Sequence, residues 1–125
     1  MTTLSEKAAE GIAAKVHETL GLRLVQDVDE FLHELDQLRT SLENDSSRSM
    51  ICHAAGNSAR YAHDLERNGI GYFHKKKHKL EKLNSIVEKV TKLSQDLHDS
   101  TITSSDALKI EAEVRSDLIT MFFQQ

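Results

Sequence analysis

Apolar side chains recur along this chain at helical spacing, and no useful run alternates with the period of a strand. The clearest run is Leu24, Val28, Phe31, Leu35, Leu38 and Leu42, four and three residues apart. That is a heptad-type seam of about five turns. The polar stretch Asn44-Asp45-Ser46-Ser47 ends it. Upstream, Leu4, Ala8, Ile12, Val16 and Leu20 fall four apart, so this stripe drifts slowly round one helical face, and Ala9 and Ala13 widen it. Thr3 and Glu6 have the spacing of a capping box at its start. Gly21 stands between the two stripes and predicts a break or bend, since glycine costs ~1 kcal/mol against alanine inside a helix.

A third segment is predicted over residues 47–67, with Ile51, Ala54, Ala55, Ala59, Tyr61, Ala62 and Leu65 as its apolar positions. The run from Ala54 to Ala59 is small in volume, which suits close approach by a second helix or by another molecule. Asn68-Gly69-Ile70-Gly71 predicts a turn. A fourth segment carries Phe73, Leu80, Leu83, Ile86, Val87, Val90, Leu93 and Leu97. After a polar loop over residues 99–105, with Thr103 and Asp106 at capping spacing, a fifth carries Ala107, Leu108, Ile110, Val114, Leu118, Met121 and Phe122. Each stripe must be buried, so the pattern predicts an all-α fold: an antiparallel bundle of four to five amphipathic helices forming one domain over residues 1–125.

Composition agrees with this reading. Proline is absent and glycine occurs five times in 125 residues, which opposes a loop-rich or sandwich fold. Hydrophobic residues make up 38% and charged residues 29%, a globular rather than a disordered or membranous balance. No apolar run approaches the ~18 residues of a membrane span. The opening residues carry no basic-then-apolar signal pattern. Cys52 is the one cysteine, so no intrachain disulfide forms, and a reducing, cytoplasmic setting is expected.

The net charge of −4 is unevenly spread. Residues 1–45 hold ten acidic and four basic side chains, residues 60–92 four acidic and nine basic, and residues 93–125 six acidic and two basic. The basic part centres on Lys75, Lys76, Lys77, Lys79 and Lys82, either a partner-facing patch or a helix start packed among acidic neighbours. Few aromatic groups accompany it and the whole chain is acidic, so a nucleic-acid partner is not expected.

Several residues are candidates for chemistry. His74 and His78 are four apart, the spacing with which a helix presents two imidazoles to one metal ion. The lysines between them oppose a cation. The hemerythrin pattern of a histidine with a glutamate four residues on is missing, since Asn57 follows His53. No metal or other cofactor is expected.

His53 followed by small residues presents an accessible imidazole of the kind a phosphoacceptor needs. The stretch His53-Ala54-Ala55-Gly56-Asn57-Ser58-Ala59 is similar to the active helix of histidine phosphotransfer domains, in which His53 would be the acceptor. That family's lysine three residues after the histidine is Gly56 here. Arg67-Asn68 followed by His74 resembles the catalytic motif of HEPN-type ribonucleases. That resemblance implies a dimer, with Arg67 binding phosphate and His74 acting as general acid and base.

Nothing matches a phosphate loop, a nucleophile elbow or a zinc-finger spacing. The expectation is therefore a non-enzymatic interaction module of adaptor, regulator, chaperone-like or immunity-like type. Its seam, Leu24, Val28, Phe31, Leu35, Leu38 and Leu42, would engage another protein or a second copy, with no membrane involved. The phosphotransfer and ribonuclease readings are the alternatives.

Overall fold

The computed structural model describes the backbone of residues 4–123 and the side chains of residues 18–123. It contains four helices: α1 (Leu4–Glu43), α2 (Arg48–Tyr72), α3 (Lys77–His98) and α4 (Ser104–Phe123). α1 lies beside α2, α2 beside α3, α3 beside α4, and α4 beside α1, with no close backbone approach across either diagonal among the described residues. Inter-helix contacts fix the directions. Asn68 on α2 donates to the Asp27 carboxylate on α1, and Leu20 lies against Gly71. Lys89 on α3 reaches Glu113 and Asp117 on α4, while Lys79 reaches Met121. Arg115 on α4 pairs with Asp36 on α1. Neighbouring helices are antiparallel throughout, the arrangement that short connections impose.

The heptad seam forms the spine of the core. Phe31, Leu35 and Leu38 are fully buried, and Leu24, Val28 and Leu42 nearly so. The buried groups fall into two clusters. One holds Leu24, Val28, Phe31 and Leu35 with Leu65, Phe73, Leu83, Ile86, Val114, Leu118 and Met121. The other holds Leu38 and Leu42 with Ala54, Ala55, Leu93, Leu97 and Ala107. Full burial of one such large apolar side chain contributes ~1.5–3 kcal/mol.

Two expected breaks are absent. α1 passes through Gly21 without interruption, because the missing side chain is where the Tyr72 ring packs: a Cβ on Gly21 would stand 3.1 Å from Tyr72 Cε2. Likewise Asn68-Gly69-Ile70-Gly71 lies inside α2. Gly69 is buried under α3, and a Cβ there would stand 2.3 Å from Leu83 Cδ2. Both glycines serve close approach rather than chain reversal. The reversal falls at residues 73–76, where the Phe73 amide donates to the Gly69 carbonyl and the Lys76 amide to the Phe73 carbonyl.

The small run at Ala54–Ala59 divides by face. Ala54, Ala55 and Ser58 are buried, whereas Gly56 points to open space. Ser47 accepts from the Met50 amide and Thr103 from the Asp106 amide, capping α2 and α4. The capping spacing of Thr3 and Glu6, and the side chains of the stripe from Leu4 to Val16, lie outside the described residues. No described helix is long and apolar enough to cross a membrane.

Candidate functional site

Helix lengths create the site. α2 ends beside Gly21, where Tyr72 packs, and α4 ends where Met121 and Phe122 lie near Leu24 and Val25. α1 loses both of its neighbours at this level. Its helix starts at Leu4, so its backbone reaches beyond this level, while Leu20 still lies against Gly71. A step results, with the overhanging part of α1 as its wall and the α2–α3 turn and the end of α4 as its floor.

The floor is apolar. Tyr72 and Phe73 pack edge to face with ring centroids 4.9 Å apart, and Phe73 and Phe122 are 5.9 Å apart. With Leu24, Val25 and Met121 they line a pocket of about 440 Å³ that Lys76 and Lys79 also border. Large apolar side chains also stand exposed here: Leu22 is 69% exposed, Val25 61%, Ile70 56% and Phe123 57%. Among the described residues one more side chain of this kind, Met50, is as exposed, and it lies at the opposite end.

Lysines surround this apolar end. Lys75, Lys76, Lys77 and Lys82 are exposed. Lys79 is half-buried and donates to the Met121 carbonyl at 3.3 Å, satisfying an acceptor in the last turn of α4. The α2–α3 turn therefore sets cations beside the negative ends of two helix dipoles. Lys76, the N-cap of α3, makes no side-chain capping hydrogen bond.

The seam residues Leu24, Val28, Phe31, Leu35, Leu38 and Leu42 all face this inner core, so none offers surface to a partner. His53 is exposed, and its Nε2 lies 3.2 Å from the Asn57 amide nitrogen. It borders a groove of about 470 Å³ between α1 and α2 that His33 and Glu34 also line. Ser58, in the same stretch, is buried and donates to the Ala54 carbonyl at 2.9 Å. Arg60 extends over the Tyr61 ring, 5.3 Å from its centroid.

Arg67 and His74 are joined by no hydrogen bond. Arg67 pairs with Asp64 at 3.2 Å, and His74 rests its Nδ1 3.3 Å from the Gly71 carbonyl. His74 and His78 do not share a helix face, because His74 lies in the turn and His78 in the first turn of α3. Among the described residues no group of three or more His, Cys, Asp or Glu side chains is arranged to hold a metal ion. Cys52 is half-buried, with Sγ 3.8 Å from the Leu97 carbonyl.

Charge pairing elsewhere is structural. Glu111 is 1% exposed and accepts from Arg115, whose Nε is 3.0 Å away; Arg115 also reaches Asp36 at 2.8 Å, and Asp36 pairs with Arg39. Burial alone would lower the Arg115 pKa, but Glu111 and Asp36 outweigh it and leave it raised. Hydrogen bonds that Lys89 donates to Asp117 and Glu113 raise its pKa, and the hydrogen bond that Asp96 accepts from Lys92 lowers that of Asp96.

Pattern reading missed Leu22, Val25, Ile70 and Phe123. A signal was present: Leu22 and Val25 stand off the Leu24–Val28 stripe, surplus to one buried face. No protein-family model, no curated protein and no solved structure matches this chain.

Proposed function

We propose that this chain is a non-enzymatic protein–protein interaction module, of adaptor, regulator, chaperone-like or immunity-like type, and that it works through the lysine-rimmed apolar end rather than through the seam. One observation carries the reading: a pocket lined by Leu24, Val25, Tyr72, Phe73, Met121 and Phe122 and bordered by Lys76 and Lys79 opens at the end where Leu22, Ile70 and Phe123 are also individually exposed. An open pocket lined by apolar and aromatic side chains costs solvation and is a common feature of binding sites. The apolar floor supplies burial, and the lysine rim favours an acidic partner and speeds its encounter.

The test is affinity capture with the tagged chain from its native lysate, with and without nuclease, at low and high salt. The expected result is a stoichiometric protein partner that survives nuclease and is lost from an Ile70→Glu variant of unchanged helicity. Recovery of nucleic acid alone, released by salt, would overturn the reading.

A further inference from the structure

We propose that the pocket between α1, the α2–α3 turn and the end of α4 binds a small monocarboxylate with an apolar body, of the fatty-acid class. This ligand shares the pocket with the protein contact proposed above, and its binding does not depend on that contact.

Size and lining set the body of the ligand. The pocket, about 440 Å³, lies within the range of ~300–1,000 Å³ typical of small-molecule sites. Leu24, Val25, Phe73, Met121 and Phe122 line it with hydrocarbon, and the Phe73 and Phe122 rings stand 5.9 Å apart. An alkyl chain laid against them removes apolar surface from water on both sides.

Charge sets the head. Among the described residues that line the pocket, the charged ones are Lys76 and Lys79. That local excess stands out in a chain whose net charge is −4. Both lysines belong to the start of α3, Lys76 as its N-cap and Lys79 three residues on, so the positive end of that helix dipole adds to their charge. Lys79 uses one of its three N–H groups on the Met121 carbonyl, and two remain for an anion.

Donors and acceptors narrow the class further. The lining side chains carry two ammonium groups, which only donate, and one hydroxyl, on Tyr72. The Met121 carbonyl already accepts from Lys79. A nucleotide or an extended peptide brings N–H groups that this lining leaves without acceptors, at a cost in desolvation. A carboxylate brings acceptors alone, and a hydrocarbon chain brings neither kind of group.

The experiment is calorimetric titration of the full chain with decanoate, decanol and decyltrimethylammonium, which share a tail and differ in the head, each below the concentration at which it forms micelles. The expected result is one decanoate per chain, bound about tenfold or more tighter than decanol, and no binding of the ammonium compound. Lys76→Glu changes an exposed side chain and should erase the advantage of decanoate over decanol. Lys109→Glu makes the same change of charge at an exposed position in the first half of α4, away from the pocket, and should leave that advantage intact. Val25→Asp, at a position 61% exposed, should weaken decanoate and decanol together with helicity unchanged. Absence of decanoate binding overturns the proposal. So does decanol binding as tightly as decanoate, or an equal loss from Lys76→Glu and Lys109→Glu. If decanoate fails to bind while the lysate still yields a protein that Ile70→Glu loses, the ligand falls and the interaction-module reading stands. Decanoate binding with no protein captured supports the ligand and counts against that reading.

Discussion

The two ends of the bundle solve the same problem in opposite ways. At the end holding the α1–α2 and α3–α4 connections, the core narrows to Ala54, Ala55 and Ala107 among leucines. Polar groups close it: Ser47 and Thr103 cap helices, Arg48 donates to the His98 carbonyl, and Thr101 binds back to Asp96. The backbone reverses there through Asp45 and Ser100, both at positive φ, and chain groups rather than a partner satisfy the helix ends. At the other end the core widens to Phe73, Leu83 and Met121, the connection is lysine-rich, and apolar side chains stand in solvent. Chain groups satisfy helix ends at both ends, but the second also leaves several large apolar side chains in solvent beside its lysines. That contrast, more than any motif, assigns the site.

The largest expected effect falls on the spine that both ends share. Leu35→Asp places a carboxylate at a fully buried position in the apolar core, and Leu38→Asp does the same in the alanine-rich cluster. Such a group cannot be accommodated without either protonation or unfolding. Both variants should lose the cooperative thermal transition in circular dichroism. Retention of a native transition by one of them would mean that its end of the core admits water.

The next effect separates the ends at their boundary. Glu111 is 1% exposed and depends on Arg115 for its counter-charge. Arg115→Ala leaves that carboxylate buried and unpaired, at an expected cost of about 3 kcal/mol in chemical denaturation. The double variant Glu111→Leu with Arg115→Leu should recover most of the loss, since an apolar pair removes the desolvation cost along with the attraction. A cost below ~1 kcal/mol for Arg115→Ala would show that Glu111 is hydrated in solution.

Overpacking sharpens the comparison further. Ala55 is 1% exposed in the cluster of small side chains. Ala55→Leu should destabilise by ~1–3 kcal/mol, because the added methylenes force neighbouring side chains off their rotamers. A neutral result would indicate spare volume at the alanine end.

How far the sequence could be read follows the same division. The seam from Leu24 to Leu42 was legible because every fourth or third side chain is apolar and all of them are buried. The α2–α3 turn was misplaced because glycine has two uses that sequence alone does not separate. Gly69 and Gly21 admit Leu83 and Tyr72 into close contact, and the reversal uses Phe73 and lysines instead. Tertiary packing overrides local propensity at both positions. The candidate site was hidden for a different reason. Leu22, Val25, Ile70 and Phe123 share no periodicity, and only the unequal helix lengths bring them to one end.

The smallest effect concerns the one described glycine on which nothing packs. Gly56 lies within α2, is exposed, and a Cβ there would meet no atom within 4 Å. Gly21 and Gly69 are held by neighbours, so a side chain at either must displace an aromatic ring or a buried leucine. At Gly56 the same change only restricts the unfolded chain and removes glycine's unfavourable helix propensity. Gly56→Ala should therefore raise stability by ~0.5–1 kcal/mol, read as a shifted denaturation midpoint at constant slope. His53 and Asn57 flank the position and touch each other on the same exposed face, 3.2 Å apart. A loss of stability would show that this face is covered in solution, since a methyl group at Gly56 is unfavourable only where another surface already lies against it.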